Sequence, residues 1–273
     1  MVLERLQAGL SRWRTDRPVP RRTAIARLPA HARFGSGFLA PPPPPKALAA
    51  SEVPRVAWML ATRWRHAAAL AAVPRGRGGA VMILPGLFDA DGSSLVLRRF
   101  LTSLGYQAEG WGLGRNLGVK SVGLDAERLI ARVEALHAKA GPVTLVGVSL
   151  GGIMARLVAH RRPELVERVV TVSSPYAGSG RATNVWRAFE WATGERVDDP
   201  AVIARSEAIA EPLPVPCTAI WSPRDGFVNG FICHDPTAEA VEVSSGHLGV
   251  HIHPEVLIAV ARALANEAVV QDR

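Results

Sequence analysis

Between residues 80 and 265, short unbroken apolar runs alternate with longer stretches in which apolar positions recur every three or four residues. The first kind suits strands buried on both faces, the second helices that bury one stripe. The pattern predicts a strand over 80–84 that stops at Pro85-Gly86, a helix over 93–104 and a strand over 106–111. A helix over 122–140, a strand over 143–148, a helix over 152–160 and a strand over 168–173 follow. After an insert over 175–214 that lacks strand character, strands are predicted over 215–221 and 239–243, then a last helix over 254–267. Such alternation defines an α/β fold, a mostly parallel sheet flanked by helices.

Upstream the pattern changes. Val53, Val56, Ala57, Leu60, Trp64, Ala67, Ala68 and Ala71 form an apolar stripe after Ser51, a plausible N-cap. They predict a helix within 46–78 that packs this stripe on the domain. Residues 1–45 form an N-terminal arm. Val2, Leu3, Leu6, Leu10 and Trp13 share one helical face there, and Pro41 to Pro45 read as a stiff spacer. The α/β domain then occupies 79–273, with a short helical lid insert at about 175–214.

One junction carries chemistry. The run Val143 to Val148 leads into Gly147-Val148-Ser149-Leu150-Gly151, and a helical stretch follows. A sharp strand-to-helix reversal strains the backbone at Ser149 and crowds positions two residues to either side, which glycine relieves. The turn holds a hydroxyl above the sheet, at a helix N-terminus that favours developing negative charge. Ser149 is the candidate nucleophile.

A serine hydroxyl needs a base, and the base needs an orienting carboxylate. Asp225 lies in the turn Ser222-Pro223-Arg224-Asp225-Gly226 after the 215–221 strand, where Asp-Gly also suits an Asx-turn. His247 is the first histidine beyond the last strand and the preferred base, with His251 and His253 as competitors. These three histidines make an H-x3-H-x-H pattern, but no acidic or cysteine partner has matching spacing, so no metal is expected. The oxyanion needs backbone N–H groups. Leu150 supplies one, and the loop after the first strand supplies the other, from Leu87 or, if the loop turns one residue later, from Phe88. Asp91 to Ser93 read as helix capping. In the insert, Trp186, Phe189 and Thr193 share a helical face, with Trp191 nearby. That face fits lid core or an acyl-chain pocket equally well, and Phe88, Trp186 and Phe189 are candidate pocket residues.

Composition adjusts the picture modestly. The 273 residues carry a formal net charge of +8, with the basic residues concentrated in the first eighty positions. No zinc-finger, RNP-type or Walker sequence accompanies them, so no specific nucleic acid is expected. The basic N-terminal arm suits weak association with a membrane surface. Cys217 and Cys233 make no metal spacing or disulfide framework. No apolar run is long enough to span a bilayer, and the first residues lack the apolar core of a secretory signal. The expected location is cytoplasmic, peripheral to the membrane at most.

Together, the serine turn, Asp225 after its strand and His247 after the last one resemble the α/β-hydrolase superfamily. More narrowly, Leu84-Pro85-Gly86, the stretch from Gly105-Tyr106 to Arg115-Asn116, Gly147 to Gly152, and Gly246-His247-Leu248-Gly249-Val250 with Pro254 resemble bacterial esterase/lipase-like proteins. The likeness covers roughly residues 80 to 265. It implies the α/β-hydrolase fold, a serine hydrolase mechanism without cofactor, and Ser149, Asp225 and His247 as triad. Many relatives read His-Gly in the oxyanion loop, where this chain has Pro85-Gly86. The expected substrate is a small-molecule acyl ester. The alternatives are acyl transfer or thioester cleavage by the same triad, or a non-catalytic binding protein on the same scaffold. The sequence leaves the oligomeric state open.

Overall fold

The computed structural model describes residues 41–265. The amphipathic face over Val2 to Trp13 and the membrane association of the basic arm lie outside the described residues. Among the described residues six strands form one parallel sheet: β1 (Ala80–Leu84), β2 (Gln107–Gly110), β3 (Val143–Val148), β4 (Val166–Val172), β5 (Cys217–Trp221) and β6 (Glu239–Glu242). Their spatial order is β2-β1-β3-β4-β5-β6, every neighbouring pair parallel. The chain changes direction across the sheet between β1 and β3, and crevices for ligands open at the carboxyl ends of strands at such a point.

Successive strand side chains point to opposite faces, so an unbroken apolar run serves two cores. Val81 and Ile83 of β1 pack with Leu97 and Leu101 of α4 (Leu95–Ser103) and Val256 and Val260 of α10 (Pro254–Ala265). Ala80, Met82 and Leu84 of the same strand pack on the other face. Their partners are Leu129 and Val133 of α6 (Glu127–Ala140) and Met154 and Val158 of α7 (Leu150–Arg161). Each fully buried aliphatic side chain contributes about 1.5–3 kcal/mol. These two layers hold rigid the strand ends that carry the site.

Several local expectations need correction. The helix expected over 122–140 starts only at Glu127, as α6; the short α5 (Val119–Val122) precedes it, and the two are separated because the backbone takes positive φ at Gly123 and Ala126. Asp91 caps no helix. Its carboxylate instead accepts from Trp111 N–H (2.9 Å) and Gly112 N–H (3.1 Å), tying the loop after β1 to the end of β2. Ser51 sits in a turn between α1 (Lys46–Ala50) and α2 (Glu52–Thr62), where its hydroxyl donates to Leu48 O instead of accepting from the helix.

The apolar stripe of the upstream helix faces away from the domain. Val53, Ala57, Leu60, Trp64, Ala67, Ala68 and Ala71 are exposed, and Val56 is half-buried. The segment docks by an adjacent side of α2, through Glu52 and Met59, and beyond it by Leu70 and Val73. A 3₁₀ turn at Arg63–His66 interrupts the periodicity, so no single wheel runs from α2 into α3 (Ala67–Ala71). Nor is the proline run a free spacer. Pro42 O and Pro44 O accept from the side-chain amides of Asn229 and Asn184, both at 2.9 Å.

The insert between β4 and β5 contains α8 (Trp186–Thr193) and α9 (Pro200–Ala210). Asp199 caps α9 by accepting from Ala201 N–H (2.8 Å), with Pro200 at the first helical position. Arg156, 1% exposed, fastens the end of α9 through Ile209 O (2.8 Å) and Glu211 O (2.6 Å). It also stacks on Tyr176 and lies 3.6 Å from Asp235. Among the described residues no helix is long and apolar enough to cross a membrane.

Candidate active site

Ser149 joins β3 to α7 at φ 51° and ψ −120°, a region that a side-chain-bearing residue enters only under constraint. Ser149 N–H donates to Val172 O (2.8 Å), and its carbonyl accepts from the Ser174 hydroxyl. A Cβ at position 147 would stand 2.4 Å from Gly151 O, and one at 151 only 2.3 Å from Leu84 O. Only glycine fits at either position, and the reversal that lifts the serine depends on both.

Asp225 lies in the turn after β5, 3% exposed. Its Oδ1 accepts from Phe227 N–H (2.9 Å) and Val228 N–H (2.8 Å), which shapes the turn, while Oδ2 lies 2.6 Å from His247 Nδ1. His247 Nε2 lies 3.1 Å from Ser149 Oγ. The carboxylate accepts only, so Nδ1 carries the ring proton and Nε2 is the free acceptor facing the serine. Burial pushes the imidazole toward the neutral form. The charges of Asp225, Glu52 and Asp89 and the bond to Asp225 outweigh this, and the His247 pKa stands above the ordinary value. The Phe227 ring packs 5.5 Å from the imidazole.

On the facing loop, Phe88 has φ 66°, and its N–H donates to Asn116 O (2.8 Å). Leu87 N–H makes no hydrogen bond among the described residues, and Leu87 lines the same cavity as Ser149 and Leu150. Of the two loop donors considered, Leu87 is the one left free. The loop is held by Asn116, whose buried amide donates to Pro85 O (2.7 Å) and accepts from Gly118 N–H (3.0 Å).

The cavity beside Ser149 measures about 110 Å³ and includes Ile153, Val185, Trp186, Phe189, Val202 and Val228 in its wall. Phe88 is not part of that wall; its ring packs 5.9 Å from Trp191, which is 79% exposed. Thr193, at the end of α8, is buried but is not part of that wall; its methyl group lies against Gly118. His251 stands near Asp89 and His247, and burial lowers its pKa, as it does for His253. Neither bonds Ser149. Among the described residues no three His, Cys, Asp or Glu side chains gather as metal ligands.

Two residues at the site were not singled out from the sequence. Glu52 reads there as an ordinary first-turn glutamate of a helix, and Asn116 as one polar residue in a glycine-rich stretch. Only contacts with distant loops reveal either.

No protein-family profile matches the chain, and no curated protein does. Solved structures do. The chain is similar to the mature form of the Bacillus licheniformis lipase BlEst2 at 17% identity and a TM-score of 0.53, over 70% of this chain and 93% of that one. For the propeptide form of the same lipase the values are 18% and 0.55, over 72% and 52%. The likeness defines the architecture: this chain has the α/β-hydrolase fold. At such identities it says nothing of substrate.

Proposed function

We propose that the protein is a serine hydrolase of carboxylic esters, acting through Ser149, His247 and Asp225. The observation that carries this reading is the unbroken series of contacts from Asp225 through His247 to Ser149, beside an apolar cavity. His247 Nε2 takes the proton of Ser149 Oγ as the oxygen attacks the acyl carbonyl. The negative charge that develops on the carbonyl oxygen is met by Leu150 N–H and Leu87 N–H, at the N-terminus of α7. Asp225 stays ionised and stabilises the imidazolium. His247 then gives its proton to the leaving alcohol, and water, deprotonated by the same imidazole, releases the acid. The small apolar wall formed by Ile153, Val185, Trp186, Phe189 and Val202 supports an apolar acyl group of modest length as substrate.

The test uses short- and medium-chain p-nitrophenyl esters with the full chain and with Ser149→Ala. Hydrolysis lost in the variant, together with fluorophosphonate labelling of Ser149, is the expected result. Equal rates for the two proteins, or labelling of another residue, would overturn the mechanism.

A further inference from the structure

Glu52, in the first turn of α2, is 1% exposed, although it belongs to a helix whose outer face is solvated. Its Oε1 accepts from Gly226 N–H (2.8 Å) and His247 N–H (3.0 Å), and its Oε2 from Leu248 N–H (3.0 Å). Arg55 donates to the same carboxylate (2.6 Å) and to the carbonyl of Arg224. Gly226 directly follows Asp225, and His247 and Leu248 belong to the histidine loop. One side chain thus holds main-chain groups of the two loops that present the acid and the base.

The seat for this carboxylate is shaped on both sides. A Cβ at position 246 would stand 2.4 Å from Glu52 Oε2, and one at 226 would stand 2.7 Å from Ala49 Cα. Cohesion alone does not account for a buried carboxylate, because desolvating it opposes folding unless its acceptors are filled. Here both oxygens are filled by donors from the two loops. Ser222 Oγ, donating to Ser245 O (2.6 Å), adds a second tie between these loops next to the strand ends.

Resting on the serine-hydrolase reading, we propose that Glu52 is a positioning residue. Its carboxylate fixes the Asp225 turn and the His247 loop at one separation, so that the imidazole stays aimed at Ser149. The N-terminal segment is then part of the active-site framework, not an appendage to it. Glu52 also adds negative charge beside the imidazole. The charged or titratable groups facing His247 are Asp225 from the turn after β5, Asp89 from the loop after β1, His251 from the turn before α10, and Glu52 with its partner Arg55 from α2.

The experiment compares Glu52→Gln, Glu52→Asp, Arg55→Met and Met59→Ala in the full chain. It reads kcat and KM against pH, and the His247 ring titration by NMR. Glu52→Gln sets an amide N–H₂ against backbone donors and removes the charge. We expect kcat to fall at least tenfold, KM to change less than threefold and the His247 titration to move to lower pH. Glu52→Asp restores the charge and part of the rate. Arg55→Met leaves the carboxylate without its cation and moves the titration to higher pH. Met59→Ala loosens the same helix and lowers the melting temperature without moving the titration.

Opposite shifts in the Glu52 and Arg55 variants distinguish positioning from mere docking of the helix. If Glu52→Gln does not fold, the Arg55→Met and Met59→Ala titrations decide alone. The proposal fails if Glu52→Gln retains wild-type kcat and titration, or if Arg55→Met and Met59→Ala behave alike. A wild-type protein with no turnover and no fluorophosphonate label would instead defeat the Ser149 reading. The ring titrations would still report on the clamp.

Discussion

Asp225 Oδ2 lies 2.6 Å from His247 Nδ1, while Asp225 Oδ1 closes its own turn on Phe227 and Val228. The carboxylate beside the imidazole is therefore immobilised by main-chain groups of its own turn. Asp225→Asn should disturb both functions. The amide would donate to the turn or to Nδ1 where only an acceptor fits, and the imidazole would adopt the wrong tautomer. Ester turnover should fall by about two to four orders of magnitude while the fold persists. Steady-state kinetics with circular dichroism check both halves.

The pH profile follows from the sign of the His247 shift. In the proposed mechanism only neutral imidazole takes the serine proton, and the neighbouring carboxylates hold its pKa above the ordinary value of about 6.5. kcat/KM should therefore rise with pH through a midpoint above about 6.5. A midpoint below that value would contradict the charge arrangement at the site.

Asn116 supports the loop that carries Leu87. Asn116→Ala leaves Pro85 O and Gly118 N–H without their partner, which should cost about 1–3 kcal/mol of stability. A slackened loop misplaces the Leu87 N–H, so kcat should drop about tenfold to hundredfold with KM little changed. Urea unfolding and initial rates separate the two effects.

The anchor of the insert is a matter of stability. Arg156→Ala removes the cation beside buried Asp235 and frees three carbonyls at the end of α9. Breaking a buried pair in this way typically costs about 3–5 kcal/mol. The midpoint of chemical denaturation should fall accordingly.

The cysteines should be inert. Burial pushes the Cys217 thiol up to about 11 and the Cys233 thiol well above its ordinary value. Iodoacetamide at pH 8 should label neither in the folded protein and both after denaturation. Rapid native labelling, read by intact mass, would show the surrounding packing to be looser than described.

Much of this molecule is legible in local pattern. The five buried residues of β1 announce a two-faced strand, and the recurrence of Leu129, Val133 and Leu136 announces the helix that covers it. The sharp turn at Ser149 can be read because its cause is local: Gly147 and Gly151 stand two residues away on either side. Asp225 and His247 could be singled out because each follows a strand end, which the same periodicity marks. In the structure they lie within hydrogen-bonding reach of one another and of Ser149.

Other features depend on pairs that no window along the chain can see. Phe88 rather than Leu87 gives its N–H to Asn116, because the loop turns to φ 66° against a residue 28 positions later. The outer stripe of α2 reads in the sequence as its docking face, since apolar spacing shows that a helix has two sides but not which one meets the domain. That was decided by Glu52, whose partner Leu248 lies 196 positions away. Sequence alone determined the layers, the serine turn and the candidate residues, because these follow from backbone stereochemistry and short-range burial. Only the folded molecule decided which N–H is free, which face of a helix is buried and what holds the histidine loop. Those outcomes depend on competition between partners brought together by the whole chain.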